Sequence, residues 1–475
     1  MFESVRRQQL LASRRPEPYA QSPRGLHRTW CFRLVILAFA ALSTKYVFVA
    51  MHGLFGFLII LALAAVAAVC ERSFVKILSN ALRSGRRNPF MILLAVWYLI
   101  GVFGKMYFSG ASDTDWRLVM APIELIIGLL IGFGFLYESK CVRTFQIAVL
   151  AMVGVQSLFT AMVIINDPSI VRNAVVETSG GWVYGDQGGF AMQAMLLPIL
   201  VWRACAEKGV LRLFLLACCA TIGWAVAISQ FATAFGLLLL SFPIALLLAV
   251  RYMKHQARLI HVLAVICIGG MGFLLFQLMQ QSSLLSDAGR HIVTAWHDPR
   301  SGGYEEKYAD LSRWYLAQIS LNTFWKYPFL GGGEGSIRYC DLVGGHSAFF
   351  DMLGFYGLLG GGGAFVAMLL LMLARAWRRL RWKGDWEAVA VATSVVLLLI
   401  GGVVNPYWEG ETTVMVLLLG RLFRLPQERG RARRWRHEDR AEGSRMPIPV
   451  NHRAVRFLGF RETRQITSLL GLRSL

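Results

Sequence analysis

The sequence predicts an all-α, polytopic membrane protein with about twelve transmembrane helices, both termini on one side and one large helical loop on the other. Three observations predict it. The 475 residues are 56% hydrophobic and only 16% charged, whereas a soluble domain is about 45–50% apolar and about 25% charged. The apolar residues gather in runs long enough to cross about 30 Å of hydrocarbon at 1.5 Å per residue. Finally, the 49 Lys and Arg against 28 Asp and Glu, a net charge of +21, fall between those runs rather than on one soluble arm. That distribution excludes a nucleic-acid-binding domain. The hydrophobicity excludes disorder of the apolar region.

In chain order the runs lie near 31–50, 52–70, 90–108, 119–137, 144–165, 187–206, 209–228, 230–250, 260–279, 347–374, 387–404 and 409–424. Residues 1–30 precede them as a polar, basic arm. The first run has full span length, so the arm is not read as a cleaved signal. Helices 1–9 then occupy 31–279, the large loop 280–346 and helices 10–12 residues 347–424, followed by a basic tail over 425–475. Part of that tail, Val450 to Leu472, mixes four arginines with apolar residues. It reads either as an interfacial helix on an anionic leaflet or as a solvated tail.

Charge orients the runs, because short cytoplasmic loops carry the Lys and Arg excess. With the N-terminus inside, the inner segments contain Arg72, Lys76, Arg83, Arg86 and Arg87, then Lys140 and Arg143, then Arg203, Lys208 and Arg212, then Arg251, Lys254 and Arg258, then Arg375 to Lys383. The outer segments 109–117, 166–186 and 405–411 are poor in basic residues. The outer exceptions Arg172, Arg290, Arg313 and Arg338 point to an anionic substrate. Within the spans, Lys45 and Glu124 are expensive in hydrocarbon unless paired or facing water. No cysteine spacing suggests a metal site or an external disulfide.

The outer segment 280–346 is longer than connectors usually are without a function. Over Leu311 to Trp325 it alternates apolar and polar residues at helical spacing, predicting an amphipathic helix. Its Trp and Tyr suit the membrane interface and are also residues that stack on sugar rings. Arg313 could offer two parallel donors to a phosphate or simply snorkel to water. Pro328 ends the helix, and the glycines of Tyr327–Gly335 permit close backbone approach to a ligand. No Gly-Lys-Ser/Thr follows, so this is not a Walker loop. His346 stands where the loop meets a long apolar run, with Ser347 as helix N-cap and Asp351 one turn on. A histidine there can take a proton from a hydroxyl or serve as a hydrogen-bonded structural residue. Asp351 could orient it or merely complement the helix dipole.

These residues together resemble the O-antigen ligase and polymerase family of bacterial envelope enzymes. The resemblance rests on Arg313, Trp314, Pro328, Leu330, Gly331, Gly333, His346, Ser347, Gly357 and Gly360, and on the stretch Gly180–Leu200. It implies a glycosyltransferase needing neither metal nor other cofactor, acting at the periplasmic face of the inner membrane. The implied donor is a glycan on undecaprenyl diphosphate, the acceptor a second glycan or lipid A core, and a chain-length regulator is a possible partner. His346 would be the general base, and Arg313, Arg338, Arg290 and Arg172 would bind the departing diphosphate. Asp351, Glu409 and Gln230 would orient the acceptor or the base. Where the family often has Ser-Arg, this chain has Ser229-Gln230, which puts the second phosphate ligand in question. The His-Ser-x-Phe-Phe-Asp form resembles polymerases more than ligases. A transporter or lipid-carrier flippase is the competing class. It would place its polar residues at mid-membrane in paired halves rather than in one outer loop.

Overall fold

A computed structural model describes residues 26–44, 53–108, 128–129, 131–136, 138–166, 187–229, 232–253, 313–332, 342–344 and 347–404. All of them fall within a compact unit ending at Arg424; the tail 425–475 is a separate unit that lies outside the described residues. Among the described residues every regular element is helical.

After a 3-10 turn at Leu26–Arg28 the helices are α1 (Trp30–Thr44), α2 (Gly53–Cys70), α3 (Phe74–Arg87), α4 (Pro89–Phe108), α5 (Ser139–Asn166), α6 (Gln187–Ala206), α7 (Gly209–Ile228) and α8 (Ala232–Tyr252). There follow α9 (Arg313–Lys326), α10 (Ala348–Tyr356), α11 (Gly362–Lys383) and α12 (Trp386–Val404). Among the described residues α5, α7, α8 and α12 are each long and apolar enough to cross a membrane. The bent pair of α3 and α4 makes a fifth if counted as one. The predicted runs 260–279 and 409–424, most of 119–137, and Lys45 and Glu124 lie outside the described residues.

Helix α6 is the hub, packed against α5, α7, α8 and α12. Phe190, Ala191, Met195, Leu196, Ile199 and Leu200 are almost fully buried along it. The outer helices turn large apolar side chains outward instead, among them Ile100, Phe159, Leu213 and Leu247. A soluble protein rarely leaves so many exposed together, and a bilayer covers them. The chain is a membrane protein on these grounds.

Charged side chains tie the helix ends and the short connections between helices to one another. Glu71 at the end of α2 accepts the first backbone N–H groups of α1, Trp30 at 2.7 Å and Cys31 at 3.2 Å. Lys76 pairs with Glu138 at 2.8 Å, Arg379 with Glu387 at 2.9 Å, and Arg375 donates to Asn88 Oδ1. Glu207, 4% exposed between α6 and α7, receives Arg143 from α5 on both carboxylate oxygens and Arg203 at 3.1 Å. Arg212 donates to its backbone carbonyl at 2.6 Å. The hydrogen bond from Arg143, more than any other influence, holds the Glu207 carboxyl below the usual carboxylate range, against the opposing effect of its burial. Every basic residue in these contacts belongs to a segment that the charge pattern placed on the inner face.

Two elements depart from the sequence reading. The segment after α2 is not a plain loop but the amphipathic helix α3, which meets α4 at 98°. The run 347–374 is not one helix either: it breaks into α10 and α11 around Gly357 (φ 66) and Gly361 (φ 114). Side-chain hydropathy is blind to that break, because Leu358 and Leu359 keep the run apolar while the glycines turn the backbone.

Candidate functional site

Away from the charged pairs, α9, the turn after it and α10 assemble against the C-terminal half of α4. Helix α9 buries its small residues Ala317, Ser320 and Thr323 together with Leu316, and leaves Trp325 exposed. Small side chains let α10 approach closely: a Cβ on Gly354 would lie 2.6 Å from the Ser320 carbonyl oxygen.

A buried polar clasp ties these helices to the strand of chain between them. Ser320 donates its hydroxyl to Asp351 Oδ1 at 2.5 Å and accepts the backbone N–H of Gly344 at 2.8 Å. Asp351 Oδ2 accepts the backbone N–H of Ser347 at 2.8 Å. Ser347 caps α10 as predicted, accepting from the Phe350 N–H at 3.3 Å, while its hydroxyl donates to the Gly402 carbonyl of α12 at 3.2 Å. Thr323 adds a bond to the Leu342 carbonyl at 2.5 Å. Ser320, Ser347 and Asp351 are at most 1% exposed, so these bonds form away from water, where an unpaired partner would be costly. The backbone is therefore fastened at Gly344 and again at Ser347, on either side of 345 and 346.

A seam of glycines lies beside the clasp. The Leu358 N–H donates to the Pro328 carbonyl and the Leu359 N–H to the Phe329 carbonyl, both at 2.8 Å. The Gly332 N–H donates to Gly354 at 3.0 Å and the Gly360 N–H to Phe329 at 3.4 Å. These bonds join the Pro328–Gly332 turn to α10 at Gly354 and to the break between α10 and α11. Gly331 has φ 72, and a Cβ there would lie 2.1 Å from the Phe355 carbonyl oxygen, so only glycine fits. Helix α4 closes the third side. Trp97 donates its indole N–H to the Leu359 carbonyl at 2.9 Å, and a Cβ on Gly101 would lie 2.3 Å from the Gly360 carbonyl carbon. Lys105 reaches the Leu330 carbonyl at 3.1 Å and the Gly331 carbonyl at 3.3 Å, with its ammonium 5.2 Å from the Phe355 ring centre.

Of the residues singled out from sequence, Asp351 is at the centre of the clasp. Its carboxylate oxygens bond Ser320 and the backbone amide that follows His346 in the chain. Arg313 is the first residue of α9, two turns before Ser320; its side chain is outside the description. His346, Arg338, Arg290, Arg172, Glu409 and Gln230 lie outside the described residues. Pro328, Leu330, Gly331, Gly357 and Gly360, separate in the sequence, come together in the seam. Lys105 and Ser320 were not anticipated. The hydropathy of 90–108 hid the lysine inside a span, and a lone serine in an amphipathic helix carries no signal until its neighbours are known. Among the described residues no three His, Cys, Asp or Glu side chains converge as ligands of a metal would.

No protein-family model matches the sequence, and no curated protein matches it either.

Proposed function

We propose that this protein is a metal-independent membrane glycosyltransferase that joins glycan repeat units carried on undecaprenyl diphosphate, working at the periplasmic face of the bacterial inner membrane. His346 takes the proton of an acceptor hydroxyl, whose oxygen attacks the anomeric carbon of the donor sugar. The bond from that carbon to the diphosphate oxygen breaks, and the carrier diphosphate departs with the electron pair. Arg313, aided by Arg338, Arg290 or Arg172, neutralises the charge that develops on it, which a divalent metal would otherwise do. General-base help of this kind is worth about 10²–10⁴ in rate. Asp351 is a positioning residue in this scheme; Glu409 and Gln230 contact the acceptor.

The observation that carries the reading is the clasp. A helix that begins at Arg313 holds, through Ser320 and Asp351, the backbone on both sides of His346. A general base gains from such anchoring, since catalysis depends on fixed geometry. The experiment is reconstitution of the purified chain with carrier-linked repeat units, without nucleotide sugar or added metal. Chain extension that disappears in His346→Ala is the expected result. Movement of the carrier across the bilayer with no new glycosidic bond would overturn it in favour of transport.

A ligase that transfers the finished glycan to lipid A core is the second reading, supported by the same resemblance. The Ser347, Phe349, Phe350 and Asp351 pattern favours the polymerase. Offering lipid A core as the acceptor separates the two.

A further inference from the structure

Helix α3 has three chemically distinct sides. At about 100° per residue, Phe74, Val75, Leu78 and Leu82 fall within about 100° of one another. They are 52%, 73%, 47% and 55% exposed. A second side is small and polar and faces the protein: Asn80 donates to the Gly134 carbonyl and Ser84 to the Phe133 carbonyl, each at 3.2 Å. The third is cationic, with Arg83 and Arg86 exposed and Lys76 engaged by Glu138. From Arg72 to Arg87 the chain has five basic residues and no acidic one. This inverts the usual surface helix, whose apolar side packs on the protein and whose polar side meets water.

The direction of the apolar side follows from Gly85, which shares its arc. A Cβ on Gly85 would lie 2.7 Å from Ile92 Cδ1, in the first turn of α4. Because α3 and α4 meet at 98°, the side of α3 that touches the start of α4 faces along α4. Taking α4, which holds the apolar run 90–108, as the spanning part of this bent pair, α3 lies flat at the bilayer surface with Phe74, Val75, Leu78 and Leu82 turned toward the acyl chains. Arg83 and Arg86 then sit at headgroup depth.

We infer that α3 is a binding site for anionic phospholipid headgroups, held by Arg83 and Arg86 above an apolar footing of Phe74, Leu78 and Leu82. The inference rests on the membrane character of the chain and not on the glycosyl-transfer reading. An anionic lipid is favoured over an acidic protein because apolar exposure and positive charge occur on adjacent arcs of one helix, the pattern of an interfacial segment. An acidic protein partner would need the charge alone.

The test uses the full chain in nanodiscs of phosphatidylcholine with and without phosphatidylglycerol, read by hydrogen exchange over 74–87. Each arginine near an anionic surface is worth about fivefold in equilibrium, so the anionic lipid should slow exchange there by about fivefold or more. The slowing should vanish in the Arg83→Gln/Arg86→Gln variant and persist in Arg83→Lys/Arg86→Lys, while exchange over 209–228 stays constant in all three. Equal exchange of the wild-type helix in both discs would overturn the inference. So would undiminished slowing in the glutamine variant, or loss of it in the lysine variant.

Discussion

Lys105 sits 225 residues before Leu330 in the chain and donates to its carbonyl at 3.1 Å, so a cation from α4 holds the glycine seam. A hydrogen bond from a charged donor contributes about 1.5–3 kcal/mol. Lys105→Met keeps a long unbranched stem and removes the donor. The variant should lose about 1–2 kcal/mol of stability and should exchange the Leu358 and Leu359 amides faster than wild type. A detergent-unfolding series together with hydrogen exchange checks both outcomes.

Ser320→Ala strips one atom from the clasp and leaves two buried partners, the Gly344 N–H and Asp351 Oδ1, without it. The expected cost is about 2–4 kcal/mol. Ser320→Thr retains the hydroxyl and should recover part of the loss. If the clasp serves His346, Ser320→Ala should also lower the rate of chain extension at saturating substrate more than it alters apparent substrate affinity. A fall in folded protein with an unchanged rate per folded molecule would reduce the clasp to a purely structural role.

Gly331→Ala and Gly104→Ala form a matched pair. The first adds a methyl at φ 72 and 2.1 Å from a backbone oxygen, so folded protein should be nearly absent. The second adds one in helix α4 where nothing lies within 4 Å, and it should stabilise the chain by about 0.5–1 kcal/mol. Yields of monodisperse protein and unfolding midpoints distinguish the two directly.

Glu207 supplies a pH test with a definite sign. Its carboxyl is held below its unfolded value, which is about 4.3, so its contribution is complete above that pH. It is lost as pH falls through the lower folded value. Glu207→Gln should cost about 3 kcal/mol at neutral pH, since it leaves Arg203 buried beside a neutral amide. The gap between wild-type and variant unfolding midpoints should stay constant down to about pH 5 and then narrow. A gap that widens in acid would contradict the assignment.

The helices were legible wherever the free-energy signal is one-dimensional. The runs 187–206, 209–228 and 387–404 match α6, α7 and α12 within a residue, because crossing hydrocarbon requires length and apolarity and the sequence displays both. Helix α3 was not legible, since Lys76, Asn80, Arg83, Arg86 and Arg87 dilute any window average while leaving strong amphipathicity. The break at Gly357 was masked for a related reason: Leu-Leu-Gly-Gly reads as apolar whether or not the backbone is helical. At the site, Ser347 and Asp351 were legible because capping is a local rule with fixed spacing. Ser320 and Lys105 there, and Glu207 among the charged pairs, were not, because each acquires meaning only from partners far away in the chain, 31 residues for Ser320–Asp351 and 64 for Arg143–Glu207.

The glycine seam also has a mechanical side. Four backbone hydrogen bonds rivet the Pro328–Gly332 turn to α10 and to the break that follows it, and Gly101 beds that break against α4. Helix α9 therefore cannot swing away as a hinged flap without shearing the rivets or dragging α4 and α10 with it. Were the substrate the lipid-borne glycan proposed above, its gateway would have to lie along another border of the molecule.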